Sequence, residues 1–242
     1  MGFDNLYFLV YNFKNMNLLE EIKKYLIYFN EIGLEVIPTT NNLIKFLQSE
    51  NFISENGLDN LKNSILTCEK CPLHRVRKQA IWGEGNINSQ LMIISEYPNK
   101  DEDFYGRPFV GQIENLLKRM LQAIKLKKED FFITHAVKCK TPGGRPPEKE
   151  EIEACKPYLL KQIKYIKPKL ILALGFTPPK IFLENNPTFS SIRGKVFKIK
   201  RNISIIFTYH PNYILKNPAV KRMVWEDLQK FRKLYEELFK TS

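Results

Sequence analysis

Acidic and aromatic side chains are concentrated in the stretch SEYPNKDEDFYGRPFVG, residues 95–111. Its carboxylates have the chemistry to position a water molecule or to stabilise a positive charge in a transition state. The stretch also holds an aromatic residue fixed beside a proline, Pro108-Phe109. Such a combination indicates a catalytic loop, and a solvated acidic turn is the alternative. The four acids are Glu96, Asp101, Glu102 and Asp103.

A second candidate is His210, which follows the apolar run 203–207 and opens the segment HPNYILK. A histidine beyond a strand can act as a proton carrier or as a hydrogen-bond donor. The apolar pair Ile214-Leu215 stands beside Lys216, a combination that suits a wedge pushed into a stack of bases. Both apolar residues packing beneath the C-terminal helix is the alternative.

The chain has four cysteines, in a pattern that suits a metal site. Cys68 and Cys71 form a CxxC pair, Cys139 ends a predicted strand, and Cys155 lies near the start of a predicted helix. Four thiolates can hold zinc or a [4Fe–4S] cluster, and the spacing does not choose between them. Four unrelated buried thiols are the remaining interpretation.

These residues are positioned by strands that alternate with helices along the chain. Apolar runs predict strands at 91–94, 131–137, 169–174 and 203–207, and a helical pattern follows residue 111. The alternation predicts a three-layer α/β/α fold with a central, mainly parallel four-stranded sheet. In such sheets ligands bind beyond the carboxyl ends of the strands, where residues 95–111 and His210 are both expected.

Charged residues are distributed unevenly along the chain of 242 residues, which has a net charge of +12. Residues 1–60 hold 4 basic and 8 acidic side chains, and the remainder holds 34 basic and 18 acidic. The basic part predicts a polyanionic partner. The Pro/Gly loop 141–147 contains Arg145 and suits contact with phosphates.

We therefore expect a helical N-terminal extension at 1–60, available to a protein partner, and an α/β domain at 61–242. The sequence has no apolar run long enough to span a membrane and no signal-peptide pattern at residue 1. These features predict a cytoplasmic protein that does not bind membranes, and we expect it to be a monomer.

Taken together, the motifs resemble those of the family 4 uracil-DNA glycosylases, the iron–sulfur members of their superfamily. The first family motif, close to GExPGxxED-x-x-G-x-PFVG, aligns with residues 95–111 without a gap. The last one, HPSYLLR, appears as HPNYILK at 210–216. The four cysteines fall in the family's CxxCPL, VKC and downstream-helix settings. The resemblance covers about residues 62–235.

The resemblance implies a monofunctional enzyme that flips uracil out of DNA and hydrolyses its N-glycosidic bond, which starts base excision repair. It implies that one of the two acids Glu96 and Glu102 positions water and the other stabilises the sugar cation. The sequence does not say which acid has which role. Phe109 then stacks on the base and His210 faces a base oxygen. The four cysteines would hold a structural [4Fe–4S] cluster. The implied contacts to DNA containing the damaged base are Arg145, Asn212, Ile214, Leu215 and Lys216.

The chain departs from the family pattern at the base site. Ser95 and Asn99 replace glycines, and Tyr97 fills a position that is usually small, beside the base. His135 stands where the family has the asparagine that reads the uracil edge. A neutral imidazole also has one donor and one acceptor, but on a ring of different shape. Excision of another deaminated base, such as hypoxanthine, and a non-catalytic iron–sulfur module that binds nucleic acid are therefore the alternatives.

Overall fold

A computed structural model describes residues 55–185, 187–199 and 202–239. Most of the helical extension predicted at 1–60 lies outside these residues. None of the described helices combines the length and the hydropathy of a membrane span.

The centre of the fold is a sheet with the strand order β1-β3-β2-β4-β6-β5. Its four inner strands are parallel, which confirms the predicted four-stranded core. Two antiparallel edge strands extend it. The strands are β1 Glu84–Gly85, β2 Leu91–Ser95, β3 Phe132–His135, β4 Leu170–Leu174, β5 Val196–Ile199 and β6 Ile203–Thr208.

The edge strands escaped prediction because neither has the continuous apolar pattern of a buried strand. β1 has two residues, and the residues of β5 are exposed or partly exposed along its whole length. By contrast, every residue of β2, β3, β4 and β6 is buried, as expected for strands covered on both faces.

Helices cover the two faces of the sheet. One face packs mainly against α1 and α4, and the other against α3 and α8. Helix α1 crosses the predicted domain boundary at 60/61, and its residues Leu61 and Ile65 are buried in the first of these cores. The helices are α1 Glu55–Leu66, α2 Lys100–Tyr105, α3 Gln112–Ala123, α4 Lys149–Ile166, α5 Thr177–Phe182, α6 Phe189–Ile192, α7 Pro211–Lys216 and α8 Lys221–Phe239.

Strand register brings four connections to one edge of the sheet. Ser95 at the end of β2 pairs with His135 at the end of β3, and Leu174 of β4 pairs with Thr208 of β6. Since the inner strands are parallel, the segments that follow them leave side by side. This edge carries the predicted site residues Glu96, His135 and His210.

Candidate active site

Residues 95–111 are not one continuous loop, and that prediction is wrong in its middle. They contain helix α2, which begins with a capping box. The Asn99 side chain accepts hydrogen bonds from the backbone N–H groups of Asp101 and Glu102, at 2.8 and 2.9 Å. In return, Oε2 of Glu102 accepts the Asn99 N–H at 2.8 Å. The asparagine that replaces a family glycine therefore starts a helix.

Glu102 is 3% exposed and joins helix α2 to the aromatic residue of the motif. Its Oε1 accepts a hydrogen bond from the Phe109 N–H at 2.6 Å. Burial raises the pKa of Glu102 to about 7, although the two backbone bonds oppose the shift. This carboxyl group changes charge near neutral pH.

Glu96 binds the start of helix α5. Its Oε1 accepts hydrogen bonds from the Phe176 N–H at 2.8 Å, the Thr177 N–H at 3.2 Å and the Thr177 hydroxyl at 3.3 Å. Burial raises the pKa of Glu96, while these bonds and Lys180 counteract the increase. Within the described residues Oε2 has no such partner, so it is the oxygen available to a water molecule.

His210 is fixed as a neutral hydrogen-bond donor. Its Nδ1 accepts the Asn212 N–H at 3.0 Å, so the proton of the neutral ring is on Nε2. Nε2 lies 2.9 Å from Oγ of Ser95, to which it donates. Burial lowers the pKa of His210 to about 4, and the ring therefore stays uncharged at physiological pH.

Phe109 contacts the two histidines of the site. Its ring is stacked with that of His210 at 5.5 Å and with that of His135 at 6.0 Å between centroids. Phe109 is 3% exposed and has a φ of +56°, a value uncommon for a residue other than glycine. The bond from its N–H to Glu102 supports this conformation.

His135 is completely buried at the end of β3. Neither ring nitrogen has a hydrogen-bond partner within the described parts of the chain, and Nε2 lies 3.5 Å from Oε1 of Glu102. Burial, and then the charge of Lys138, lower the pKa of His135 well below its usual value. The ring is therefore neutral.

Four aromatic rings beside the site had no counterpart in the sequence-based prediction. Phe176 follows β4, Tyr209 follows β6, and both contact Phe189 at 4.6 and 5.0 Å between centroids. Tyr213 completes the group by stacking on Tyr209 at 4.9 Å. The available signal was the position of Phe176 and Tyr209 within two residues of the ends of β4 and β6. Tyr97, which was predicted, is partly buried, and its hydroxyl lies 3.4 Å from the Gly144 carbonyl oxygen.

The predicted DNA-contacting residues of helix α7 differ in exposure. Ile214 is 2% exposed within the core, so the prediction that it forms part of a wedge is wrong. Leu215 is 41% exposed and Lys216 is exposed at the end of the helix. Asn212 is partly buried beside His210.

Arg145 is bound to carboxylates. Its Nη1 and Nη2 donate to Oε2 and Oε1 of Glu151 at 2.9 and 2.7 Å, and Nη2 lies 3.2 Å from Glu148. This bidentate bond fixes the Pro/Gly loop to the start of α4. A phosphate at Arg145 would have to share the guanidinium with both acids.

The four cysteines line one small cavity. Arg77 donates to Sγ of Cys139 at 3.1 Å, the Lys138 N–H donates to Cys155 at 3.2 Å, and the Lys70 N–H donates to Cys68 at 3.5 Å. Such donors stabilise thiolate ligands. Among the described residues, no group of three or more Cys, His, Asp or Glu is arranged to hold a metal ion. The four thiols therefore share one lining, the arrangement that a common ligand would need.

The fold and the site define an α/β protein with acidic, aromatic and imidazole side chains gathered at the carboxyl edge of its sheet. A model of the uracil-DNA glycosylase superfamily matches residues 82–229. The chain is 42% identical to a type-4 uracil-DNA glycosylase of Sulfurisphaera tokodaii, over 74% of this chain and 85% of that protein. It is 40% identical to one of Saccharolobus solfataricus, over 76% and 87%, and 33% identical to one of Thermotoga maritima, over 74% and 95%.

The chain belongs to the uracil-DNA glycosylase superfamily. The family resemblance found in the sequence motifs is thereby confirmed.

Proposed function

We propose that the chain is a DNA-repair hydrolase that releases uracil from DNA by cleaving its N-glycosidic bond. Its type-4 relatives are named for this activity, and this chain aligns with them over most of their length. The observation that carries the proposal is the neutral His210, whose Nε2–H lies next to Phe109 at the ligand-binding edge. Cleavage of this bond leaves a negative charge on the base, and a fixed donor stabilises that charge as it forms.

In the proposed mechanism the target base leaves the helical stack and enters the edge of the sheet beside Phe109. The Nε2–H of His210 then donates its hydrogen bond to an oxygen of the base instead of to the Ser95 hydroxyl. Because this bond strengthens only as the oxygen becomes an anion, His210 acts on the transition state more than on binding. Tyr97 and His135 complete the walls of the base site.

Glu96 positions the attacking water. The hydrogen bonds at its Oε1 fix the carboxylate to the start of α5 and leave Oε2 for a water molecule. An ionised carboxylate also favours the positive charge that develops on the sugar. Glu102 has both oxygens bound to backbone N–H groups, which supports a role in shaping the site instead. Water is the nucleophile, so the enzyme is monofunctional.

Cys68, Cys71, Cys139 and Cys155 hold a [4Fe–4S] cluster. The cluster is structural when bound, since its ligands join the segment after α1, the exit of β3 and helix α4. The N–H and guanidinium donors at three of the sulfurs support thiolate ligands.

The exposed Leu215 is the wedge that fills the space left by the flipped base. Asn212, Lys216 and, to a smaller extent, Arg145 contact the strand that carries the lesion. The protein acts as a cytoplasmic monomer on DNA, and residues 1–60 bind a protein partner.

Single-turnover base release tests this function. Duplexes that differ only in uracil, hypoxanthine or xanthine at one site should yield free uracil at the highest rate. Glu96→Gln should bind the uracil duplex normally and release the base far more slowly. Faster release of hypoxanthine would support the other deaminated-base activity. Binding without release of any base would support a non-catalytic module.

A further inference from the structure

His135 is the polar side chain of the site whose burial is not balanced by any hydrogen bond. It is completely buried, and both ring nitrogens are without a hydrogen bond in the described parts of the chain. A buried polar atom that stays unpaired costs about 1–3 kcal/mol, so such atoms usually have a functional reason. At the ligand-binding edge of an enzyme, that reason is a bond made to the ligand.

The shape of the imidazole limits that bond to one nitrogen. An asparagine amide presents its donor and acceptor on the same side, and can meet two atoms of one base edge. The two nitrogens of imidazole point in diverging directions. Nε2 of His135 faces Oε1 of Glu102 at 3.5 Å, which leaves Nδ1 for the base.

We propose that Glu102 is a positioning residue that keeps the ring proton of His135 on Nε2, so that Nδ1 accepts a hydrogen bond from the N3–H of uracil. The inference rests on the proposed role of His135 at the base edge. Deamination places a proton on the ring nitrogen, where cytosine has a lone pair. A bare acceptor at Nδ1 therefore attracts uracil and repels cytosine, and the N1–H of hypoxanthine fits the same acceptor.

Protonation of Glu102 reverses this arrangement. The pair takes up one proton from solution at the carboxyl group, which then donates to Nε2, and the ring proton moves to Nδ1. Nδ1–H would now face the N3–H of uracil, donor against donor. Since the pKa of Glu102 is about 7, the acceptor form predominates above neutral pH.

The charges around the pair are consistent with this assignment. Asp101 disfavours ionisation of Glu102, and the N–H groups of Asn99 and Phe109 favour it. Lys138, whose own pKa burial lowers to about 7, disfavours a charged His135 while it is protonated. Glu102 is therefore the member of the pair that titrates near neutral pH.

The first test compares uracil release between pH 5.5 and 9 in the wild type, His135→Asn and Glu102→Gln. In the wild type the single-turnover rate should rise roughly 10- to 100-fold through about pH 7, the effect of one mismatched buried hydrogen bond. His135→Asn should lose this rise, because an amide can rotate to present either group. Glu102→Gln should be slow and independent of pH near 7. A rise that persists in His135→Asn would overturn the proposal, since Glu102 would then act without the imidazole.

The second test observes the tautomer directly and does not depend on activity. The chain has only three histidines, so nitrogen-15 spectra of the histidine-labelled holoenzyme are simple to assign with His135→Asn. At pH 8 His135 should show a protonated Nε2 and an unprotonated Nδ1, with the reverse at pH 6. Nδ1–H at pH 8 would overturn the inference. Absence of uracil release by the wild type would instead refute the proposed function, whatever the tautomer.

Discussion

Gly175 and Glu96 are so close that a side chain at residue 175 would collide with the carboxyl group of Glu96. A β-carbon on residue 175 would lie 2.3 Å from Cδ of Glu96, well inside van der Waals contact. Gly175 has a φ of +92°, which also favours glycine. The turn after β4 thus fixes the carboxylate on the neighbouring loop.

Gly175→Ala should therefore displace Glu96 and slow catalysis. A shift of about 1 Å in a positioning group can cost about 10²-fold in rate, and we expect a loss of this size in single-turnover uracil release. DNA affinity should hardly change. Gly111→Ala is the matched control, because φ is +69° there and a β-carbon meets nothing within 4 Å. Equal losses in both variants would mean that backbone strain, and not the collision with Glu96, is responsible.

His210→Ala should lower the rate of uracil release by about 10²–10³-fold with nearly unchanged DNA affinity, because the lost donor acts on the departing anion. Ser95→Ala removes only the partner of Nε2 in the free enzyme and should retain most activity. Since the pKa of His210 is about 4, protonation of this ring should affect the rate only below about pH 5. An active His210→Ala variant would show that another group stabilises the anion.

The sequence predicted those parts of the fold that depend on local apolar patterns. The continuous apolar runs at β2 and β4 identified the central strands, because such runs are buried wherever they occur. The edge strand β5 has partly exposed residues and is defined by its pairing with β6, a relation that no local pattern contains.

The same distinction holds at the site. Motif spacing placed Glu96, Phe109 and His210 at one edge. In the structure His210 contacts both Ser95, the residue before Glu96, and the ring of Phe109. The partners of Glu102 and Arg145 could not be predicted. They depend on groups that meet only in the folded chain: the backbone N–H of Phe109 for Glu102, and the Glu151 carboxylate for Arg145. For the same reason, the exposed Leu215 and the buried Ile214 looked equivalent in sequence.

Protein purified without oxygen should be brown and contain about four irons per chain, because all four thiols line one cavity. Cys139→Ser should lose iron and unfold at a lower temperature, since it detaches β3 from the other ligands. The neighbouring Lys140→Ala should keep both properties. Iron and zinc are measured by plasma emission and stability by thermal melting. Stoichiometric zinc in place of iron would contradict the cluster assignment.

Binding to uracil-containing DNA should weaken steeply with salt, and the two candidate cations of the site should contribute differently. Each neutralised phosphate adds about 0.9 to the slope of log affinity against log salt concentration. Lys216→Ala should lower the slope by about this amount, because Lys216 is exposed beside the proposed wedge. Arg145→Ala should lower it by less, because its guanidinium is bound to Glu151 at 2.7 Å.

Lys198→Ala is the control for that titration. Lys198 pairs with Ser204 near the start of β6, far from the carboxyl edge, and its loss should leave the slope unchanged. Fluorescence anisotropy at several salt concentrations measures the DNA affinity of all three variants and gives the slope for each. If Arg145→Ala reduced the slope as much as Lys216→Ala, the guanidinium would have to leave Glu151 when DNA binds. The Pro/Gly loop would then move toward the phosphates, since its bidentate bond to α4 would be broken in the complex.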